Sequence, residues 1–208
     1  MAELESFLGR KSRSKEGFMA RQYWQGSVLL SPVPPVMVSC GDMEKSNIIT
    51  IAWTGVLCTH PPKTYISVRR QRHSYEMIKQ SGEFVVNLAS ADMAQKVDYC
   101  GIYTGAKVDK FERCRLTRLQ SKEVSAPTIA ECKLSLECRV TDVVPLGTHD
   151  MFVADIVAVS VDESLLDSDG RLCLEKADLL AYAHGEYFSL GESLGKFGFS
   201  ATKKKKKR

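Results

Sequence analysis

The 208-residue chain lacks any run of about 18 apolar residues, the length a membrane-spanning helix requires, so no transmembrane segment is expected. An apolar leader is missing as well. The opening stretch MAELESFLGRKSRSKEG carries acidic residues, and residence in the cytoplasm is the expectation. No Pro/Gly/Ser-rich linker divides the middle and no internal repeat occurs, so the length suits one domain with a substantial core. Neither a GxGxxG nor a Walker A pattern is present, which argues against a doubly wound nucleotide-binding fold. The seven cysteines include no CxxC pair and their number is odd. That spacing supports neither a disulfide framework nor a zinc site, and no metal is expected. The acidic stretch VDESLLDSDGRL lacks the regular oxygen-ligand spacing of a calcium loop and reads as a solvated turn.

Positive charge outside the tail is scarce too. The formal net charge is +4, yet residues 203–208 are all basic, so the rest of the chain is mildly acidic. A generally basic face for nucleic acid is therefore not expected, and the tail reads as a solvated end.

What is present is a series of short strand candidates. SVLL, VMVSC, NIITIAW and TYISV are separated by the turn signals SPVPP, CGDMEKS and THPPK. A short helix is expected through ELESFLG near the start. SYEMIKQSG reads as another, with Ser74 as N-cap, Met77 and Ile78 facing inward and Gly82 as the stop. EFVVNLAS returns to strand composition, and ADMAQKVDYCG suits a further helix. Two long strands are expected at 129–144 and 151–161, joined by PLGTHD. In the first, Cys132, Leu134, Leu136, Cys138 and Val140 share one parity, the expected buried face. Lys133, Ser135, Glu137 and Arg139 take the other. MFVADIVAVSV is apolar on both parities and needs cover on both faces, within a barrel wall or at a subunit contact. The fold class expected is mainly β with inserted helices, in a small barrel-like sheet.

Two stretches carry candidate chemistry. SVRRQRHS places Ser67, Arg69, Arg70, Arg72, His73 and Ser74 between a strand end and a helix start. Helix-terminal N–H groups, hydroxyls and guanidinium forks there suit a phosphate, while an exposed charged turn fits the composition equally well. Parity puts Ser67, Arg69 and Gln71 on one face, so the arginines cannot all reach one phosphate without a turn between them. In SNIITIAWTG, Asn47, Thr50 and Thr54 suit hydrogen bonds at a pocket wall and Trp53 suits an aromatic ligand. A core tryptophan with ordinary turn hydroxyls is the competing reading.

Taken in order, SNIITIAWTGVLCTHPPKTYISVRRQRHSYEMIKQSGEFVVNL, TGAKVDKF, GTHDMFVADIVAV and GEYFSLGESLGKFGFS resemble the flavin reductase-like, FMN-binding split-barrel family, most closely its flavoredoxin-like branch. The resemblance covers most of residues 27–200, leaving 1–26 as a peripheral segment and 201–208 as a basic tail. It implies an FMN-binding split β-barrel, commonly a homodimer with the cofactor near the subunit contact. On that resemblance Asn47, Thr50, Ile51, Ala52, Trp53 and Thr54 line the flavin, and Ser67, Arg69, Arg72, His73 and Ser74 match the phosphate side. His149 is the candidate catalytic group, with a backbone-bonded turn histidine as the alternative reading. Tyr182, Tyr187 and Phe188 are candidates for closing the pocket. The implied chemistry is redox, with FMN as cofactor and NADH or NADPH as a possible reductant. The electrons would pass to free flavin or another acceptor, including a redox protein. An FMN electron carrier without efficient nicotinamide oxidation is the alternative, and a nucleic-acid-binding barrel ranks behind both. Neither a specific nucleic acid nor a membrane is an expected partner.

Overall fold

The structure, a computed structural model, describes residues 21–201. The helix expected through ELESFLG and most of the basic tail lie outside them. By its internal contacts the chain divides into Met1–Leu30 and Ser31–Arg208. Residues 21–30 hold no regular element, which corrects the strand expected at SVLL. Pro32, Pro34 and Pro35 follow at once, and their missing N–H groups give no ladder to extend.

The larger unit begins with four strands, β1 (Val36–Gly41), β2 (Ser46–Ile51), β3 (Thr54–Thr59) and β4 (Pro62–Val68). Helix α1 (His73–Ser81) and strand β5 (Glu83–Leu88) follow. Helices α2 (Ala94–Ile102) and α3 (Lys110–Arg113) precede the short strands β6 (Arg118–Leu119) and β7 (Thr128–Ile129). The long strands β8 (Leu134–Pro145) and β9 (Asp150–Val161) come next, and the hairpin β10 (Leu180–Ala183) with β11 (Glu186–Ser189) completes the order. Seven strands form one antiparallel sheet in the order β2-β1-β5-β8-β9-β4-β3.

The two edges of this sheet, β2 and β3, are consecutive in the chain. Only Ala52 and Trp53 separate them. Ile51 and Thr54 can be that close only if the sheet curls until its edges approach, so the sheet is a barrel wall split at Ala52–Trp53. The mainly β expectation is met, with the sheet left open. The strand expected to run from Asn47 through Trp53 therefore ends sooner, at Ile51.

Alternation along β1 supplies two cores. Val36, Val38 and Cys40 face the inside of the curl with Phe84 and Phe152, where Tyr75 and Ile78 of α1 fill the space. Met37 points the other way, to Val97 and Cys100 of α2 and to Phe111 of α3. α1 starts two residues earlier than expected, with Arg72 instead of Ser74 at the N-cap, in extended backbone. The Ser74 hydroxyl is taken by Asn47 instead of capping. Gly82 ends the helix in the left-handed region at φ 67°, as its sequence position suggests. The long strand expected from 129 is interrupted, because residues 130–133 turn between β7 and β8. Cys132 and Cys138 are buried as expected, but so are Ser135 and Glu137. The Ser135 hydroxyl donates to Asn87 Oδ1, and the Glu137 carboxylate accepts the backbone N–H groups of Lys122 and Glu123. Simple alternation fails there because partners on a neighbouring loop and strand satisfy those polar groups.

Candidate functional site

A cavity of about 280 Å³ opens where the sheet is split. Thr50, Ile51, Ala52 and Trp53 form one wall, and Ser67, Val68 and Arg69 from the end of β4 form the facing one. The Ser67 N–H donates to Trp53 O at 2.9 Å, clasping the β2–β3 link to β4. Thr54 lies outside the cavity lining. Its hydroxyl donates to Tyr65 O within the β3–β4 hairpin. The Thr50 hydroxyl is also engaged, donating to Val97 O and bracing β2 against α2. Tyr182 and Tyr187 of the β10–β11 hairpin line the cavity, whereas Phe188 does not. The Tyr187 hydroxyl donates to Asp98 at 3.2 Å, and burial pushes its pKa up to about 12, keeping it a neutral phenol.

His149 stands in this cavity with its ring centroid 4.4 Å from that of Trp53, tilted by 44°. Its Nδ1 is 2.9 Å from the Thr148 hydroxyl, and Nε2 has no hydrogen-bond partner among the described residues. Burial lowers its pKa below the ordinary 6.5, and the cations of Arg69 and Arg72 lower it further. The imidazole is therefore neutral near pH 7.

The arginines of SVRRQRHS separate into distinct roles. Arg70 forks onto Asp150, with Nε 2.9 Å and Nη2 2.9 Å from the carboxylate oxygens. The Tyr75 hydroxyl donates to the same carboxylate at 2.6 Å. Arg70, and then Tyr75, hold Asp150 below the usual carboxylate range. This triad ties the residue after His149 to α1 and commits Arg70 to the fold. Arg69 lines the cavity with its guanidinium in no hydrogen bond or ion pair among the described residues. Arg72 lines it too, reaching only Gly101 O at 3.5 Å.

A smaller cavity of about 70 Å³ adjoins the first, and both share Ile49, Arg72 and Gly101. Asn47, His73 and Ser74 line it, at the N-terminus of the nine-residue helix α1. Asn47 Nδ2 donates to Ser74 Oγ at 2.8 Å. The opposite wall comes so close that a Cβ on Gly105 would lie 2.1 Å from Asn47 Oδ1. Lys110 completes the lining and was not singled out by the sequence reading. Only 3% of it is exposed, and its ammonium donates to Ile48 O at 2.6 Å and Cys100 O at 2.8 Å. No carboxylate pairs with it among the described residues. Burial lowers its pKa, and the nearby cation of Arg72 lowers it further. The nearby thiols bring no counter-charge, since burial raises Cys40 to about 11 and Cys100 to about 12. An unpaired ammonium, a helix N-terminus, Arg72 and hydroxyl groups around a small space form a donor set for a phosphate-sized anion.

The expected residues thus fall into two groups. Thr50 to Trp53, Ser67, Arg69 and His149 surround the larger cavity, while Asn47, His73 and Ser74 surround the smaller one. Arg72 belongs to both. The available signal for Lys110 was its place between a capping Asp109 and the buried Phe111, inside a stretch that otherwise reads as a polar connection. Cysteine spacing hid one approach. Cys100 and Cys114 are free thiols with sulfurs 3.9 Å apart. Among the described residues no helix is long and apolar enough to cross a membrane.

Comparison with known proteins agrees with this architecture. The structure superposes on flavoredoxin of Desulfovibrio vulgaris (Miyazaki F) with a TM-score of 0.81 and 30% identity, covering 88% of this chain and 100% of that one. An uncharacterized protein of Archaeoglobus fulgidus is 31% identical over 164 residues, 79% of this chain and 91% of the relative. The FMN reductase (NADH) RutF of Acinetobacter baylyi is 28% identical over 160 residues, 75% of this chain and 82% of the relative. The flavin reductase like domain matches residues 29–191, and the chain belongs to that family.

Proposed function

We propose that the chain is an FMN-dependent oxidoreductase that passes electrons or hydride from NADH or NADPH to free flavin or another acceptor. The observation that carries this reading is the pair of joined cavities. The larger is walled by peptide edges and aromatic rings and suits a flat heterocycle. The smaller is walled by cations and helix N–H groups and suits a terminal phosphate. FMN has these two ends.

When bound, FMN would supply the redox chemistry. The chain's own residues bind and orient. Lys110, Arg72, His73 and Ser74 hold the phosphate end, and Trp53 covers the ring end. His149 offers Nε2 as a hydrogen-bonding atom and a site for a proton. The names of the RutF relatives support NADH as reductant, whereas the flavoredoxin neighbour supports an electron carrier without efficient nicotinamide oxidation. Residence in the cytoplasm belongs to the same reading, supported by seven free cysteines. So does a homodimer, because Val56, Leu57, Val143, Val144 and Leu146 leave exposed apolar surface on β3 and around the β8–β9 turn for a second copy to cover.

Anaerobic reduction of the purified protein tests the reading, with NADH and NADPH added separately and the flavin spectrum followed. Bleaching by either nucleotide, together with release of FMN on denaturation, is expected. Reduction by dithionite alone would select the carrier. Absence of flavin, with no saturable FMN uptake by the apoprotein, would remove both.

A further inference from the structure

Arg69 is the cation for which the site has found no use. Arg70 is tied to Asp150, and Arg72 reaches the smaller cavity. Arg69 lines only the larger cavity, and its guanidinium has no hydrogen bond or ion pair among the described residues. That cavity has no carboxylate in its lining. His149 in the same lining stays neutral near pH 7 and adds no charge, and Arg72 is shared with the smaller cavity. A phosphate in the smaller cavity would answer Lys110 and Arg72 and leave the charge of Arg69 uncompensated beside the ring.

The reaction supplies what that charge suits. Oxidised isoalloxazine is neutral. A hydride, two electrons with one proton, leaves one negative charge on the ring system once the nicotinamide has departed oxidised. A fixed cation stabilises that anion more than the neutral ring, and does so most where neighbouring walls displace water. We propose that Arg69 acts on the flavin ring rather than on its phosphate, stabilising the anionic reduced cofactor and so raising its reduction potential. This rests on the FMN reading above.

Midpoint potentials and anaerobic dissociation constants test it, measured for oxidised and reduced FMN and for riboflavin. The proteins compared are the parent, Arg69→Ala, Arg69→Lys and Arg72→Ala. Arg69→Ala is expected to weaken reduced FMN about tenfold more than oxidised FMN, lowering the midpoint by about 30 mV for the two-electron couple. Riboflavin should show the same redox-state dependence, since its ring is identical. Arg69→Lys should keep most of the parent's potential, because it keeps the charge. In Arg72→Ala the loss should fall on FMN in both redox states and spare riboflavin. Equal weakening of oxidised and reduced FMN in Arg69→Ala, with riboflavin untouched, would assign Arg69 to the phosphate and overturn the proposal. An unchanged potential in a variant that still binds FMN would overturn it alone. A parent protein that takes up no flavin would overturn it together with the reading beneath it.

Discussion

The two cavities share Ile49, Arg72 and Gly101, yet they are built from different materials. The larger has aromatic rings, a neutral histidine and the polypeptide edge of the β2–β3 link. Its hydroxyl at Thr50 is already spent on α2. The smaller is about a quarter of its volume and gathers a buried lysine, a buried asparagine and the start of α1. One end of the groove can choose a ligand by shape and the other by charge. A molecule with a flat neutral end and an anionic end engages both. Each end can be broken separately.

The largest effect is expected from Lys110→Met, which keeps a similar length and removes the ammonium. A charge-assisted bond contributes about 1.5–3 kcal/mol, so FMN affinity should fall roughly 10- to 150-fold while riboflavin affinity changes little. Isothermal titration of the apoprotein with each ligand reads the difference, with circular dichroism as the folding control. Equal losses for both ligands would place Lys110 outside the anion site.

Stability separates the arginines next. Arg70→Ala leaves the buried Asp150 carboxylate without its guanidinium, so Tm should drop clearly, whereas Arg69→Ala should leave Tm near the parent value. The pH dependence has a definite sign. The folded Asp150 pKa is depressed, so its contribution is present above the ordinary value of 3.8 and is lost as pH falls through the lower folded value. The Tm gap between parent and Arg70→Ala should therefore narrow in strong acid. A constant gap would show that Asp150 is not the group involved.

Trp53→Ala should act on the shape end. Aromatic contacts contribute about 0.5–1.5 kcal/mol beyond burial, so FMN and riboflavin should weaken together by roughly 2- to 13-fold. A loss confined to FMN would contradict the division between the cavities. The smallest effect concerns His149. Arg69 and Arg72 help hold its pKa below 6.5, so Arg69→Ala should raise the imidazole titration midpoint toward that value in proton NMR. A fall, or no movement, would separate Arg69 from His149.

Much of this site was legible in the chain. The hydroxyl-rich strand end, the tryptophan and the basic helix entrance each signal locally, and most of their residues line one or other cavity. The assignment of individual arginines was not legible. Arg70 is fixed by Asp150, 80 residues away, and only the β4–β9 pairing brings them together. Lys110 was hidden for a similar reason, because its acceptors lie on β2 and α2 and its only local signal is its place between Asp109 and Phe111. The split of the sheet is likewise a property of strand order. A two-residue link between Ile51 and Thr54 reads as an ordinary strand end until β2 and β3 are known to be opposite edges. Local composition found the materials, and long-range pairing sorted them into two ends.

That sorting is tested most directly in the unaltered protein by titrating the apoprotein with FMN and with riboflavin under the same conditions. A groove with one end for the ring and one for the phosphate predicts FMN binding at least about tenfold tighter, with the advantage shrinking as inorganic phosphate is added. Equal affinities for the two flavins, unmoved by phosphate, would contradict it.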